Sequence, residues 1–334
     1  MTRKRMRYSH DETHVQKGQH VAKSPATCSK LQMLAHAGVP RAVFRLALLA
    51  LMLDVPSAPV RHVELFSGVQ SITNAFLQRG STTIAFDILN DNVHQNILSA
   101  QGFLSATLHI LSIADGGGMF AAPVCSSWVW LNRATSGRKN YDPNGADHEY
   151  VRLANIMVAR VAMLIWLAHG LGHIWVLEQP QSSIMEMHKR MQELIAKTKV
   201  YKVAVSLGRY GASTANEIWL YSKYNNVSTI KIFSTTDLPQ DSNKKLVEKT
   251  SNSHGRKCIQ GNAGLKESQA YPKDFGNAIA MLHSCFYDQQ CCASAARRAH
   301  SSTIDIQAGC AAAMADGADW HDAALDHVWR VLQM

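Results

Sequence analysis

The spacing of apolar residues changes period along this chain, and each change marks a predicted element. Residues 62–66 form a short apolar run around Glu64 and predict a buried strand; Ser67 and Gly68 predict a turn. Val69, Ile72, Ala75 and Phe76 then fall at helical spacing, closed by Gly80. Residues 82–86 predict a second, β-branched strand ending at Asp87, 92–100 a helix, and 106–110 a third strand. Residues 119–122 predict a fourth strand, followed by a polar loop over 125–148. A long apolar helix is expected at 149–169, a strand at 173–177, a helix at 183–197, and two closely spaced strands at 201–206 and 218–221. Such alternation predicts an α/β fold, a doubly wound and mostly parallel sheet of the Rossmann-like kind. The last two strands are expected as an antiparallel pair at one edge.

The flanks read differently. Residues 1–35 are polar, His- and Lys-rich and aperiodic, which predicts a disordered basic arm. The main domain is then expected over 36–290, with a polar irregular stretch at 223–270. Residues 291–334 predict an Ala-rich helical tail with an amphipathic helix near 320–332. The apolar run 43–53 is too short to span a bilayer and is interrupted by Arg45, so it reads as a core or capping helix, and no membrane partner is expected.

The formal charge of +9 suggests a nucleic-acid partner until it is located. Residues 1–61 carry ten Lys and Arg against three Asp and Glu, while 62–334 carry 24 against 22. The core must therefore recognise an anion through a local patch. Seven cysteines, an odd number, form no paired framework; without a secretion signal they suit a reducing compartment, nuclear or cytoplasmic. Cys285, Cys291, Cys292 and His283 lie close in sequence, but no CxxC pair is present and no metal site is expected.

Ligands of an open α/β sheet bind beyond the carboxyl ends of its strands. Four chemical groups are expected there. Phe66-Ser67-Gly68 follows the first strand, and its glycine lets a ligand approach the backbone. Asp87 follows the second, 23 residues after Glu64, a spacing suited to a carboxylate on a nucleoside ribose. Cys125 follows the fourth and Glu178 the fifth. A thiol at such a rim is a candidate nucleophile, and a carboxyl immediately after an apolar strand is expected to open onto a cleft. Arg133 or Arg138 is expected to favour the thiolate, and the 132–147 loop to close over a substrate.

At these positions the sequence resembles the S-adenosylmethionine-dependent cytosine carbon-5 methyltransferases, over 60–222 and again over 271–283. Glu64-Leu65-Phe66-Ser67-Gly68 is similar to the family's first strand and cofactor turn, with glutamate in place of the usual aspartate. Pro123-Val124-Cys125 is similar to its Pro-Cys nucleophile loop, with Val124 inserted, and Glu178-Gln179-Pro180 to its Glu-Asn-Val motif. Gly276-Asn277-Ala278-Ile279 resembles a late segment that returns to the cofactor pocket. The resemblance implies S-adenosylmethionine held by Glu64, Phe66, Gly68, Asp87, Asp115 and Asn277. It implies catalysis by Cys125 and Glu178 with Arg133, and a DNA or RNA base as acceptor. Asn216 and Ile218 stand where the family carries two arginines, and only about 50 residues separate Tyr221 from Tyr271, short for a DNA-reading domain.

Three rival classes leave different traces. Transfer to an exocyclic nitrogen calls for Asp or Asn, Pro, Pro and an aromatic where Ala122-Pro123-Val124-Cys125 stands. A nicotinamide enzyme calls for GxGxxG after the first strand, where this chain has only Gly68. A methyltransferase-like module that binds nucleic acid or protein without catalysis agrees with the missing arginines. The retained Glu64, Asp87, Cys125 and Glu178 argue for an enzyme.

Overall fold

The computed structural model describes residues 25–53, 58–234, 247–251, 257–261 and 269–298. Six strands form one sheet: β1 (Val60–Leu65), β2 (Thr83–Phe86), β3 (Ile113–Ala121), β4 (Ile174–Pro180), β5 (Tyr201–Ser206) and β6 (Glu217–Ser222). Their order is β2-β1-β3-β4-β6-β5. β1 pairs in parallel with β2 and β3, and β3 with β4; β6 runs antiparallel between β4 and β5. The α/β, mostly parallel expectation holds, as does the antiparallel edge pair. After β2 the chain crosses back past β1 to lay down β3, so the order reverses between β1 and β3, the place at which open α/β sheets generally bind ligands.

Alternate residues on these strands serve two different layers. Val63, Leu65, Met119, Ala121, Trp175 and Leu177 join one apolar cluster. It is covered by α1 (Pro25–His36), α2 (Arg41–Met52), α4 (Ala100–Leu111), α6 (Glu149–Gly170) and α7 (Lys189–Thr198). On the opposite face Phe120, Ile174, Val176, Ile218 and Leu220 pack under α3 (Ser71–Leu77) and a long C-terminal helix, α8 (Lys273–Arg298). That face also receives His62, Glu64 and Glu178, all buried. The α3–α8 contact is close: a Cβ at Gly276 would overlap the Ser71 carbonyl.

Four expectations are corrected. The 106–110 strand is the body of α4, whose start is set by Ser99 accepting the Gly102 N–H (2.9 Å); one face of this helix carries the β-branched and apolar residues that read as a strand. The predicted 92–100 helix is mainly turns, in which Asp91 Oδ1 accepts the N–H groups of Val93 and His94. The arm expected over 1–35 is helical from Pro25, and Leu34 is fully buried in the first cluster; residues 1–24 lie outside the described set. α8 passes through the boundary drawn at 290, and the tail beyond 298 lies outside the described residues. Among the described residues of 223–270 there are a 3-10 segment, Asn225–Phe233, and an antiparallel pair of strands, β7 (Val247–Ser251) and β8 (Lys257–Gly261). α6 is long and apolar enough to cross a membrane, but most of it is buried in the first cluster.

Candidate active site

β1 leaves the sheet through an unusual turn. Phe66 (φ +63°), Gly68 (φ +48°) and Gln70 (φ +60°) all take left-handed backbone, which Gly adopts freely and Phe and Gln only at a cost. The turn directs the chain into α3 and places Glu64 beneath that helix's first residues. There Glu64 Oε2 accepts the Thr73 N–H at 2.7 Å, a favourable place for a carboxylate. Burial nevertheless raises Glu64 to about 7; hydrogen bonds around Thr73 pull the other way, and the Asp87 charge adds to the rise. Glu64 Oε1 and Ser67 Oγ are buried without a hydrogen-bond partner among the described residues. Asp87 joins the same turn: its Oδ2 accepts the Gly68 N–H and its Oδ1 the Leu89 N–H, both at 2.9 Å.

The ends of β3 and β4 are tied together. Gln179 donates to the Pro123 carbonyl at 2.9 Å, and Ser183 Oγ donates to Gln179 Oε1 at 2.9 Å. Val129 bridges to Ser183, and Ile184 N–H reaches the Trp128 carbonyl at 3.1 Å. Cys125 starts the turn between these ties, its carbonyl accepting the Trp128 and Val129 N–H groups. The thiol is pushed up to about 12, first by burial and then by the nearby charge of Glu178.

Glu178 itself is buried, raised to about 7 by loss of water, and receives the Tyr271 hydroxyl on Oε2 at 2.7 Å. Tyr271 lies just before α8, with its carbonyl accepting Ser71 Oγ at 2.6 Å. Its phenol is raised well above the ordinary range by burial and by Glu178, Cys125 and Glu64 in turn. Tyr271 is thus within electrostatic reach of Glu64, Cys125 and Glu178, and Cys125 of Glu178, with Phe66, Gly68 and Asp87 on the turns beside Glu64.

Other expected site residues are elsewhere. Asp115 is exposed near the amino end of β3, roughly 20 Å of strand from Ala121, where its carbonyl accepts Arg61 at 3.0 Å. The glycines at 116–118 belong to the strand and move its start back, which removes Asp115 from the rim. Asn277 is held by Arg79 (3.0 Å), beyond the carboxyl end of α3. Arg133 turns to the Ser182 carbonyl at 3.1 Å. Arg138 is buried with its guanidinium 3.3 Å over the Trp128 ring, and it donates to Ser127 O and Oγ, Val151 O, Pro143 O and Asn155 Oδ1. It fastens the 125–151 segment instead of supporting a thiolate, so the expected cationic help for Cys125 is not met.

A reading of the sequence assigns no role to two residues of the rim, Tyr271 and Gln179, the latter named only within Glu178-Gln179-Pro180. Tyr271 meets Glu178 across 93 positions and carries no local signal. Gln179 was signalled weakly, as an amide directly after an apolar strand. Among the described residues no group of three or more His, Cys, Asp or Glu is arranged to hold a metal; on α8, His283 is buried while Cys285 is exposed. The chain matches no model of a known protein family and no curated protein sequence.

Proposed function

We propose that this chain is an S-adenosylmethionine-dependent methyltransferase acting on a nucleic-acid base, at carbon 5 of cytosine, with Cys125 as nucleophile. The observation that carries the reading is the meeting of a thiol and a carboxyl on adjacent strand ends beside the switch point of the sheet. The turn after β1 fits the cofactor. It offers two buried polar atoms without a hydrogen-bond partner among the described residues, open space around Gly68, and the Asp87 carboxylate. Glu64, Phe66, Gly68 and Asp87 would hold it, and when bound it supplies an electrophilic methyl group.

The protein's own groups make the ring able to accept that methyl. Cys125 releases its proton to solvent and Sγ bonds to ring carbon 6. The electron pair displaced from the ring double bond spreads toward ring nitrogen 3, to which a neutral Glu178 gives its proton. Carbon 5 is then electron-rich and gains the methyl. Its own proton leaves to solvent, the Sγ–carbon bond breaks, the ring nitrogen returns its proton to Glu178, and sulfur regains one from solvent. Neutral Glu178 also relieves Cys125 of a neighbouring charge, so the two protonation requirements favour each other.

A second reading, a methyltransferase-like module that binds nucleic acid or protein without catalysis, is favoured by the thiol at about 12 with the carboxyl at about 7. In the free chain the proton rests on sulfur, and ligand binding has to reverse that. Calorimetry with S-adenosylmethionine and trapping by a 5-fluorocytosine oligonucleotide separate the two. The enzyme reading expects saturable cofactor binding, weakened by about 1–3 kcal/mol in Asp87→Ala. It also expects a covalent adduct that is lost in Cys125→Ser and slowed in Glu178→Gln. Methyl transfer that survives Cys125→Ser removes the nucleophile assignment; cofactor binding without an adduct selects the binding module.

A further inference from the structure

We infer that Tyr271 is a positioning residue: by donating its phenol hydrogen to Glu178 Oε2, it fixes the proton of the neutral carboxyl on Oε1. The inference rests on the reaction proposed above, in which Glu178 hands a proton to a ring nitrogen. A carboxyl oxygen that accepts a strong O–H bond behaves as the carbonyl oxygen, so the acid proton resides on the other. Without such a bond the proton is shared between two oxygens pointing in different directions. With it, one oxygen is the donor.

Tyr271 is held on several sides in a way that suits this task. Its carbonyl is fixed by Ser71 Oγ, and its ring meets Phe120 edge-on (5.8 Å between centroids) and tilts against Phe275 (5.1 Å). The next turn is closed by the Gly276 N–H on the Pro272 carbonyl. The carboxyl is equally constrained, since Glu178 pairs with Leu220 inside the sheet. The 2.7 Å hydroxyl contact therefore joins two fixed groups. Among the described residues, the titratable groups that act on Glu178 or its partner are Tyr271 ahead of α8, Cys125 after β3, Tyr221 on β6 and, through Tyr271, Glu64 on β1, and none of these four is cationic. With its phenol raised well above the ordinary range, Tyr271 stays a donor across the working pH.

Infrared titration of the full chain tests this without cofactor or substrate. The carboxyl stretching band lost in Glu178→Gln identifies the group, and in the unaltered chain its expected midpoint is about 7. Tyr271→Phe keeps the ring and removes the donor; its midpoint should rise by about one pH unit, the scale of one hydrogen bond to a charged group. A 3-fluorotyrosine placed at 271 by amber suppression keeps the shape and donates more strongly, so its midpoint should fall. Midpoints unchanged in both variants overturn the proposal. A shift seen together with absent S-adenosylmethionine binding in calorimetry leaves the Tyr271–Glu178 pair standing and removes the methyltransferase reading.

Discussion

The two faces of the central sheet are built from the same strands but to opposite ends. Under α1, α2, α4, α6 and α7, the strands present the apolar residues Val63, Leu65, Met119, Ala121, Trp175 and Leu177. Arg160, a charge that enters this layer from α6, is satisfied by the Ile97 and Ser99 carbonyls at 2.8 and 3.2 Å and lies over the Phe103 ring. Under α3 and α8 the same strands present His62, Glu64 and Glu178, and α8 adds His283. His62 stacks on Phe76 at 3.9 Å, and neither of its ring nitrogens has a hydrogen-bond partner among the described residues. One face is optimised for burial; the other gives up part of that stability to keep titratable groups dry. Neighbouring residues of β4 state the difference, Leu177 on one side and Glu178 on the other.

Substitutions on the two faces should therefore move stability in opposite directions. The largest effect is expected for Trp175→Ala, about 3–5 kcal/mol of lost stability in urea titration, from a fully buried ring whose removal leaves a cavity. Glu178→Gln should act the other way above neutrality. The folded carboxyl is raised from 4.5 to about 7, so its contribution is full below pH 4.5 and is lost as pH rises through 7. Removing the titration should flatten that decline by roughly 2–3 kcal/mol between pH 5 and pH 8. A variant as pH-sensitive as the parent would break the comparison.

His62→Leu is a smaller test, expected to stabilise by about 1–2 kcal/mol at pH 7.5, the scale of a buried polar group left unpaired. The gain should grow on acidification. His62 and His283 are both held below the ordinary 6.5, His283 at about 3, so their contribution is full above 6.5 and is lost as pH falls through the lowered values. Equal or lower stability in His62→Leu would mean that the imidazole is satisfied in solution. The smallest effect belongs to the apolar side: Ser99→Ala removes the cap of α4 and should cost about 1 kcal/mol, with no change in the pH profile.

Much of the sheet could be read from the sequence because its strands are short apolar runs bounded by turn residues, and 201–206 coincides with β5. The 106–110 stretch misled because Ala106, Thr107 and Ile110 line the buried face of a helix, and so short an apolar run does not distinguish the two periods. The rim was legible wherever chemistry follows directly on a strand, as at Glu64, Asp87, Cys125 and Glu178. It was not legible where a partner comes from far along the chain, as Tyr271 does. Arg138 shows the converse. A cation in a polar loop near a cysteine invites a catalytic reading, yet the nearby Trp128 ring and backbone carbonyls claim it first.

The dependence of the rim on Tyr271 and α8 sets a timetable for synthesis. β1 to β6 and the five helices of the apolar face can associate while the C-terminal segment is still being made, since domains consolidate as the chain lengthens. Glu178 then lacks the Tyr271 hydroxyl, while Glu64 and His62 already have α3 over them. The docking of α8, where His283 lies so close to Gly118 that a Cβ there would overlap its ring, expels water from this face. It also brings the Glu178 partner in the same event. A nascent chain therefore carries Glu178 without its tyrosine partner, and the dry setting that raises this carboxyl to about 7 is completed only with the last described helix.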